Sequence, residues 1–386
     1  MALWCVALWL FVSTVKVCHG SDDICGMCVC RYGYVDCSNM DLQYVPSFPS
    51  DTTILKLSRN RIMEIREKDF DKYPSLQYLF LDNNRMRTIH KNALLPLSNL
   101  TYLDLSWNDL SIQVLDNSVF SVLNSSKIEH LILSGMNFTL NDQSLGGLKK
   151  THIRGIDFSW NREICDLPNY TFSNMQELRM VSFRYCNCYE FNPLTFINTS
   201  LEFLDFGYNH LWKIPEIQNT TFLQILRLEK NAIMDVPGET WLKFSSLHTL
   251  NLSSNSLYTI HDDLVQNLDK LETLDLRGNR IETLSDHPFK STSLRVLHLE
   301  DNPVTFSFIY HHEVFREAVY LRELYLGKFE TVDFMFEILF TNLTYLEVLH
   351  IENVQRFTAI TRETFQNLPR THLEAIARYW TFGEPV

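Results

Sequence analysis

The sequence predicts an α/β solenoid, a curved horseshoe of stacked repeats with a parallel sheet on its concave face. Three observations carry that prediction. A leucine pattern returns along most of the 386 residues, an asparagine recurs at a fixed place within it, and a large aromatic recurs at a fixed distance beyond.

The pattern is L-x-x-L-x-L-x-x-N, and its register returns at intervals of 22 to 28 residues. The clearest copies begin at Leu76, Leu100, Leu201, Leu223, Leu247, Leu271 and Leu294, and weaker ones at Thr52, Ile128, Ile153, Leu178, Leu321 and Leu346. The L-x-L centre reads as a short strand whose alternate side chains point inward. One such strand cannot bury its apolar face alone, so successive units must stack, giving one continuous core and a parallel sheet. Below, a residue's place is counted from the first leucine of its copy.

The ninth position ends the strand and turns inward. An Asn amide there has the donors and the acceptor to satisfy buried backbone groups of adjacent turns. Asn60, Asn84, Asn108, Asn161, Asn209, Asn231, Asn255, Asn279 and Asn302 occupy it, while Met136, Cys186, Phe329 and Val354 replace it and should interrupt the ladder. Ten to thirteen residues further on stand Phe70, Phe120, Phe172, Phe196, Trp241, Phe289, Phe315, Phe340 and Phe365. They read as an aromatic spine packing the convex side.

Residues Ala2 to Val15 are nearly all apolar, and Cys18-His19-Gly20 supplies small residues before Ser21, so residues 1–20 read as a secretory signal. The other reading, an uncleaved anchor, meets a run short for a bilayer, and nothing downstream approaches the ~18 apolar residues of a span. Eight N-x-S/T sequons follow, at Asn99, Asn124, Asn137, Asn169, Asn198, Asn219, Asn251 and Asn342, which predicts a glycosylated, extracellular chain. A net charge of −12 without basic tracts argues against nucleic acid as a partner.

The repeats, with the cluster Cys25, Cys28, Cys30 and Cys37 ahead of the first strand, resemble the leucine-rich-repeat superfamily, and specifically Toll-like receptor ectodomains and related secreted proteins. The resemblance implies a disulfide-bonded N-terminal cap covering the edge of the first repeat, paired Cys25–Cys30 and Cys28–Cys37; a zinc site is the rival reading of the same cysteines. Of the remaining Cys165, Cys186 and Cys188, the first and last lie about one repeat apart and are read as bonded. Cys186, on the ladder, should be a buried inert thiol; an intermolecular bond is the alternative. The domain reading is a cap and first strand at 21–50, about 13 repeats at 51–370, and a closing segment at 371–386. Leu373, Ile376, Ala377 and Trp380 give that segment helical spacing, in place of the cysteine-rich end many relatives have.

The sequence carries no catalytic motif and predicts no enzyme, cofactor or metal site; His311-His312-Glu313 reads as a solvated surface string. Function is expected on the concave face. There the third and eighth positions place Tyr78, Tyr102, Trp107, Trp160, Tyr185, Phe203 and Tyr208 as a candidate ligand-binding stripe. The plain alternative is that these rings merely cover the sheet. Beyond them Arg227, Glu229, Lys230, Glu272, Asp275, Arg277, His298, Glu300 and Asp301 read as a solvated, charge-mixed face, and a glycan on Asn251 would occlude its middle. The expected function is extracellular recognition of a protein or glycan ligand, with a dimer possible. The alternative is a structural or adhesion protein of the matrix, since the cap spacing also resembles that of small leucine-rich matrix proteoglycans.

Overall fold

The computed structural model describes residues 23–352, apart from 112–116, 138, 141–144, 219, 263, 307–313, 328–329, 332–339 and 341. Outside the described residues lie the leader at 1–20, the closing segment at 371–386, Asn219, Phe365, Phe329, Val354 and the His311-His312-Glu313 string.

A sheet of 15 strands runs the length of the described chain. Every copy of the leucine pattern contributes a strand, weak copies included: Ile54–Lys56, Tyr78–Phe80, Tyr102–Asp104, His130–Ile132, Gly155–Asp157 and Met180–Ser182, then Phe203–Asp205, Ile225–Arg227, Thr249–Asn251, Thr273–Asp275, Val296–His298, Glu323–Gly327 and Val348–Glu352. Neighbours pair in parallel with like positions opposite, Leu79 against Leu103, Leu103 against Leu131 and Leu131 against Ile156. The leucines at the first, fourth and sixth positions point into the core; Leu76, Leu79 and Leu81 are wholly buried. Each such side chain contributes about 2 kcal/mol of burial.

The N-terminal edge is closed by an antiparallel hairpin, Val29–Arg31 with Tyr34–Asp36. Its turn requires glycine, because Gly33 has φ +73° and a Cβ there would stand 2.9 Å from the Thr53 hydroxyl. Bonds from Cys25 to Cys30 and from Cys28 to Cys37 hold this cap.

The asparagine ladder is present at all nine positions. Asn84 accepts from the Ile62 amide at 3.0 Å and donates to the carbonyls of Leu57 and Leu81. Asn255 repeats the arrangement with Ile233, Leu228 and Leu252. Each amide thus satisfies groups of its own and the preceding turn, which no apolar residue at this depth does. Where Cys186 replaces Asn, its thiol donates to the Phe158 carbonyl at 3.2 Å, so one part of the asparagine's work survives. Burial pushes that thiol's pKa up to about 12, and Cys186 is the free cysteine of the described chain.

The convex side is built from turns and short 3-10 segments such as Gly238–Lys243; the α-helix among the described residues is Asn117–Ser121. The aromatic spine lies beneath, with Phe70, Phe120, Phe172, Phe196, Trp241, Phe289, Phe315 and Phe340 all buried. Between residues 153 and 206 the core is itself aromatic. Phe158, Phe183 and Phe206 take the sixth position, and their rings stack at 5.6 and 5.5 Å.

Candidate concave binding site

The eighth position is the point where each strand turns away from the sheet, and its backbone is left-handed in every repeat from Arg59 (φ 56°) to Asp301 (φ 56°). The turn is fixed by its own hydrogen bonds. The amides of Trp107, Trp160 and Tyr208 donate at 2.8 Å to the carbonyls of Ser134, Arg184 and Glu229, each on the following repeat. Glycine, Asn and Asp tolerate this conformation best, and it costs other residues about 1–2 kcal/mol. Asn83, Gly135, Gly278 and Asp301 fit that rule, whereas Trp107, Trp160, Tyr185 and Tyr208 do not, nor do Arg59, Lys230 and Ser254.

Those four aromatics form one stack along the rim of the sheet. Trp160 lies face to face with Tyr185 at 3.9 Å, Tyr185 meets Tyr208 at 4.2 Å, and Trp107 meets Trp160 at 6.0 Å. The last contact skips a repeat. It does so because Gly135 stands between the two tryptophans, and a Cβ there would lie 2.6 Å from the Trp107 ring. Trp107 and Trp160 remain 46% and 42% exposed, so the stack is open to solvent in part.

Arg184 closes the far end, its guanidinium 4.4 Å from the Tyr208 ring centroid. It bonds Asp205 at 3.2 Å and Glu229, which lies two repeats away. Gly207 makes that reach possible, since a Cβ at its position would stand 2.6 Å from the Arg184 Nη1. The charge-mixed face is therefore only in part solvated: Lys230, Glu272, Arg277 and Asp301 are exposed, while two of its acids are buried. Asp205, Glu229 and Asp275 are buried, and Arg277 holds Asp275 at 2.7 Å. Stacked parallel strands leave a short acid at the fifth position little water, which is why pairing decides its state. No described cation pairs with Asp104 in this way. Burial, with the neighbouring Asp82 and Asp157, raises its carboxyl to about 7 against the pull of its Ser106 hydrogen bonds.

The remaining members of the predicted stripe stand apart from this stack. Tyr78 and Tyr102 pair with each other at 6.2 Å near the cap, and Tyr102 is half-buried. Phe203 packs under Arg227 at 5.3 Å. Arg184 escaped the sequence reading because its role depends on Gly207, a residue that in sequence looks like an ordinary turn former. Cys165 is bonded to Cys188, on adjacent repeats just behind the stack. Asn251 sits in its strand between Arg227 and Asp275, half-buried, its Oδ1 accepting from the Ser253 amide at 2.9 Å. Of the other sequons, Asn124, Asn137, Asn169 and Asn198 are exposed, and Asn99 and Asn342 are half-buried.

A solenoid whose leucine-rich turns each add one strand to a single long sheet defines a class of repeat protein. The chain is a leucine-rich-repeat protein: a leucine-rich-repeat family model matches residues 51–110, 221–281 and 245–304, and a model of the BspA-type leucine-rich-repeat region matches 140–229. The chain is 29% identical over 238 residues to lumican of Coturnix japonica, covering 58% of this chain and 65% of that one. It is 28% identical over 276 residues to mouse podocan, covering 58% and 44%, and 29% identical over 216 residues to Toll-like receptor 9 of Equus caballus, covering 48% and 20%. The chain thus spans less than two thirds of the length of these relatives. Among solved structures, a leucine-rich-repeat protein of Leptospira interrogans superimposes with a TM-score of 0.66 at 20% identity, covering 86% of this chain and 81% of that one. The structure of the Drosophila Toll–Spatzle complex gives 0.63 at 21% identity, covering 81% and 46%. At these identities the structural likeness is one of fold.

Proposed function

We infer that this chain is an extracellular, receptor-like recognition protein that takes a protein ligand against the aromatic rim Trp107–Trp160–Tyr185–Tyr208. One observation carries the reading. Large aromatics occupy four left-handed positions where the other repeats place small or polar residues, and three of the four rings are in close stack. The turn itself does not call for aromatics, and large rings stacked there while staying part-exposed are the mark of a contact surface. The cap disulfides and the sequons support an extracellular setting, as does the likeness to lumican and podocan, which are matrix proteins. No described helix is long and apolar enough to cross a membrane.

The test is a binding screen of the secreted chain against a panel of extracellular proteins, repeated with Trp160→Ala and Tyr185→Ala. Both variants should be secreted normally and should lose about tenfold or more in affinity for the partner, as truncated interface aromatics do. Unchanged affinity in both variants would sink the reading. The lumican likeness favours a second one, a structural or adhesive role in the matrix. It calls for binding to matrix components that survives loss of the aromatic stack.

A further inference from the structure

Four residues beyond the rim, on the turn that leads away from the strands, lies a second apolar stripe. At the twelfth position of four consecutive repeats stand Tyr189, Trp212, Met234 and Tyr258, between 52% and 60% exposed. Their alignment is fixed by a lateral backbone ladder: the amides of His210, Ala232, Ser256 and Arg280 donate to the carbonyls of Cys188, Leu211, Ile233 and Leu257, at 2.8, 2.9, 2.9 and 2.9 Å. The stripe stops at the next rung, where Glu282 takes the place. No sequon falls between the ninth and sixteenth positions of these four repeats. Single exposed hydrophobics need no explanation, but a contiguous row of them on a lateral face does.

The stripe also has a pocket. Between the turns of two adjacent repeats is a cavity of about 190 Å³ whose floor is Phe191, Leu211 and Pro215 and whose walls are Tyr189 and Pro193. Its rim carries Glu190, Lys213 and Glu216. Lys213 is taken by Glu216 at 3.8 Å and lies 5.1 Å from the Trp212 ring, which leaves Glu190 without an ion-pair partner among the described residues. His210 stacks on Tyr189 at 5.0 Å and braces the wall. The cavity is smaller than the ~300–1,000 Å³ of small-molecule sites. It has the size and lining of an anchor pocket for one aromatic side chain.

We propose that this lateral pocket and stripe dock a second, basic protein, which inserts an aromatic side chain between Tyr189 and Pro193 and sets an adjacent Lys or Arg against Glu190. Charge selects this occupant over another copy of the chain: at −12, two copies repel one another, and the pocket rim carries one carboxylate in excess. This surface lies four residues along the turn from the concave rim and shares no residue with it.

The probe is the peptide acetyl-Arg-Phe-Arg-amide at millimolar concentration, titrated into the secreted full chain and followed by saturation-transfer NMR on the phenylalanine ring. The ring signal should appear with the wild type and disappear in the exposed-residue variant Tyr189→Ser. It should weaken about tenfold in Glu190→Lys and persist in Trp160→Ala, whose loss bears on the rim alone. Acetyl-Glu-Phe-Glu-amide should not bind. The proposal is overturned by no signal with the wild type, by equal binding of the two peptides, or by binding that survives Tyr189→Ser. It is overturned equally if light scattering finds a dimer that Tyr189→Ser dissolves, which would give the face to a second copy.

Discussion

Repeats 128–206 and repeats 223–302 share one backbone plan and hold their turns together by different means. In the later set every ninth position is Asn, and Leu228, Leu252, Leu276 and Leu299 fill the sixth. In the earlier set Met136 and Cys186 break the ladder, Phe158, Phe183 and Phe206 replace leucine, and the Cys165–Cys188 bond ties two turns covalently. The contrast shows that the solenoid needs adjacent turns fastened but does not dictate the fastener. It also shows where aromatic rings gather. The residues two places after Phe158, Phe183 and Phe206 are Trp160, Tyr185 and Tyr208, so a buried stack and a rim stack run along the same three repeats.

The largest test of this contrast is in the core. Phe183→Ala should cost about 4 kcal/mol in denaturant unfolding, because Phe183 touches rings on both sides and the stack cannot close over the gap. A cost under ~2 kcal/mol would mean that the Phe stack is not what fastens these repeats. Next is the covalent tie. Replacing Cys165 and Cys188 together by Ser should cost about 3 kcal/mol, the loop entropy of a 23-residue separation. The ladder itself sharpens the comparison. Asn255→Ala leaves the Ile233 amide and the Leu228 and Leu252 carbonyls short of a partner and should cost about 3 kcal/mol. Cys186→Ala, where the fastening is already shared, should cost about 1 kcal/mol. Equal costs would erase the distinction.

A last test is electrostatic and concerns Asp104, which lies on the N-terminal side of both sets. Its folded-state carboxyl titrates near 7, while the unfolded chain releases that proton near 4. Between those values the folded chain holds a proton the unfolded chain has lost, so stability falls as pH rises from about 4 to 7 and levels off above. Asp104→Asn should therefore raise the melting temperature at pH 8 and leave it nearly unchanged at pH 4. The same gain at both pH values would show that the buried charge is not the cause.

Much of this architecture is legible in the sequence because it is periodic. Leu79, Leu103 and Asn84 sit where the pattern puts them, and the spine from Phe70 to Phe340 is buried as the spacing requires. What the sequence conceals depends on residues one or two repeats away. Nothing in the string announces that Trp160 is left-handed, or that Gly135 and Gly207 are small so that other residues can pass over them. The helices implied by an α/β reading shrink to turns, because the short convex segments close each repeat without enough residues for a longer helix. Tyr189, Trp212, Met234 and Tyr258 escape a search for core periodicity because their rule is exposure at a constant place in the turn.

The contacts that skip a repeat have a mechanical meaning. A solenoid in which each turn touches only its neighbours flexes at every joint. Trp107 meeting Trp160 across Gly135, and Arg184 reaching Glu229 across Gly207, are cross-braces spanning two joints each. They sit at the two ends of the rim stack and should make the arc between residues 107 and 229 the stiffest span of the horseshoe. A ligand landing there meets a surface whose shape is already set, and association loses less entropy to ordering it.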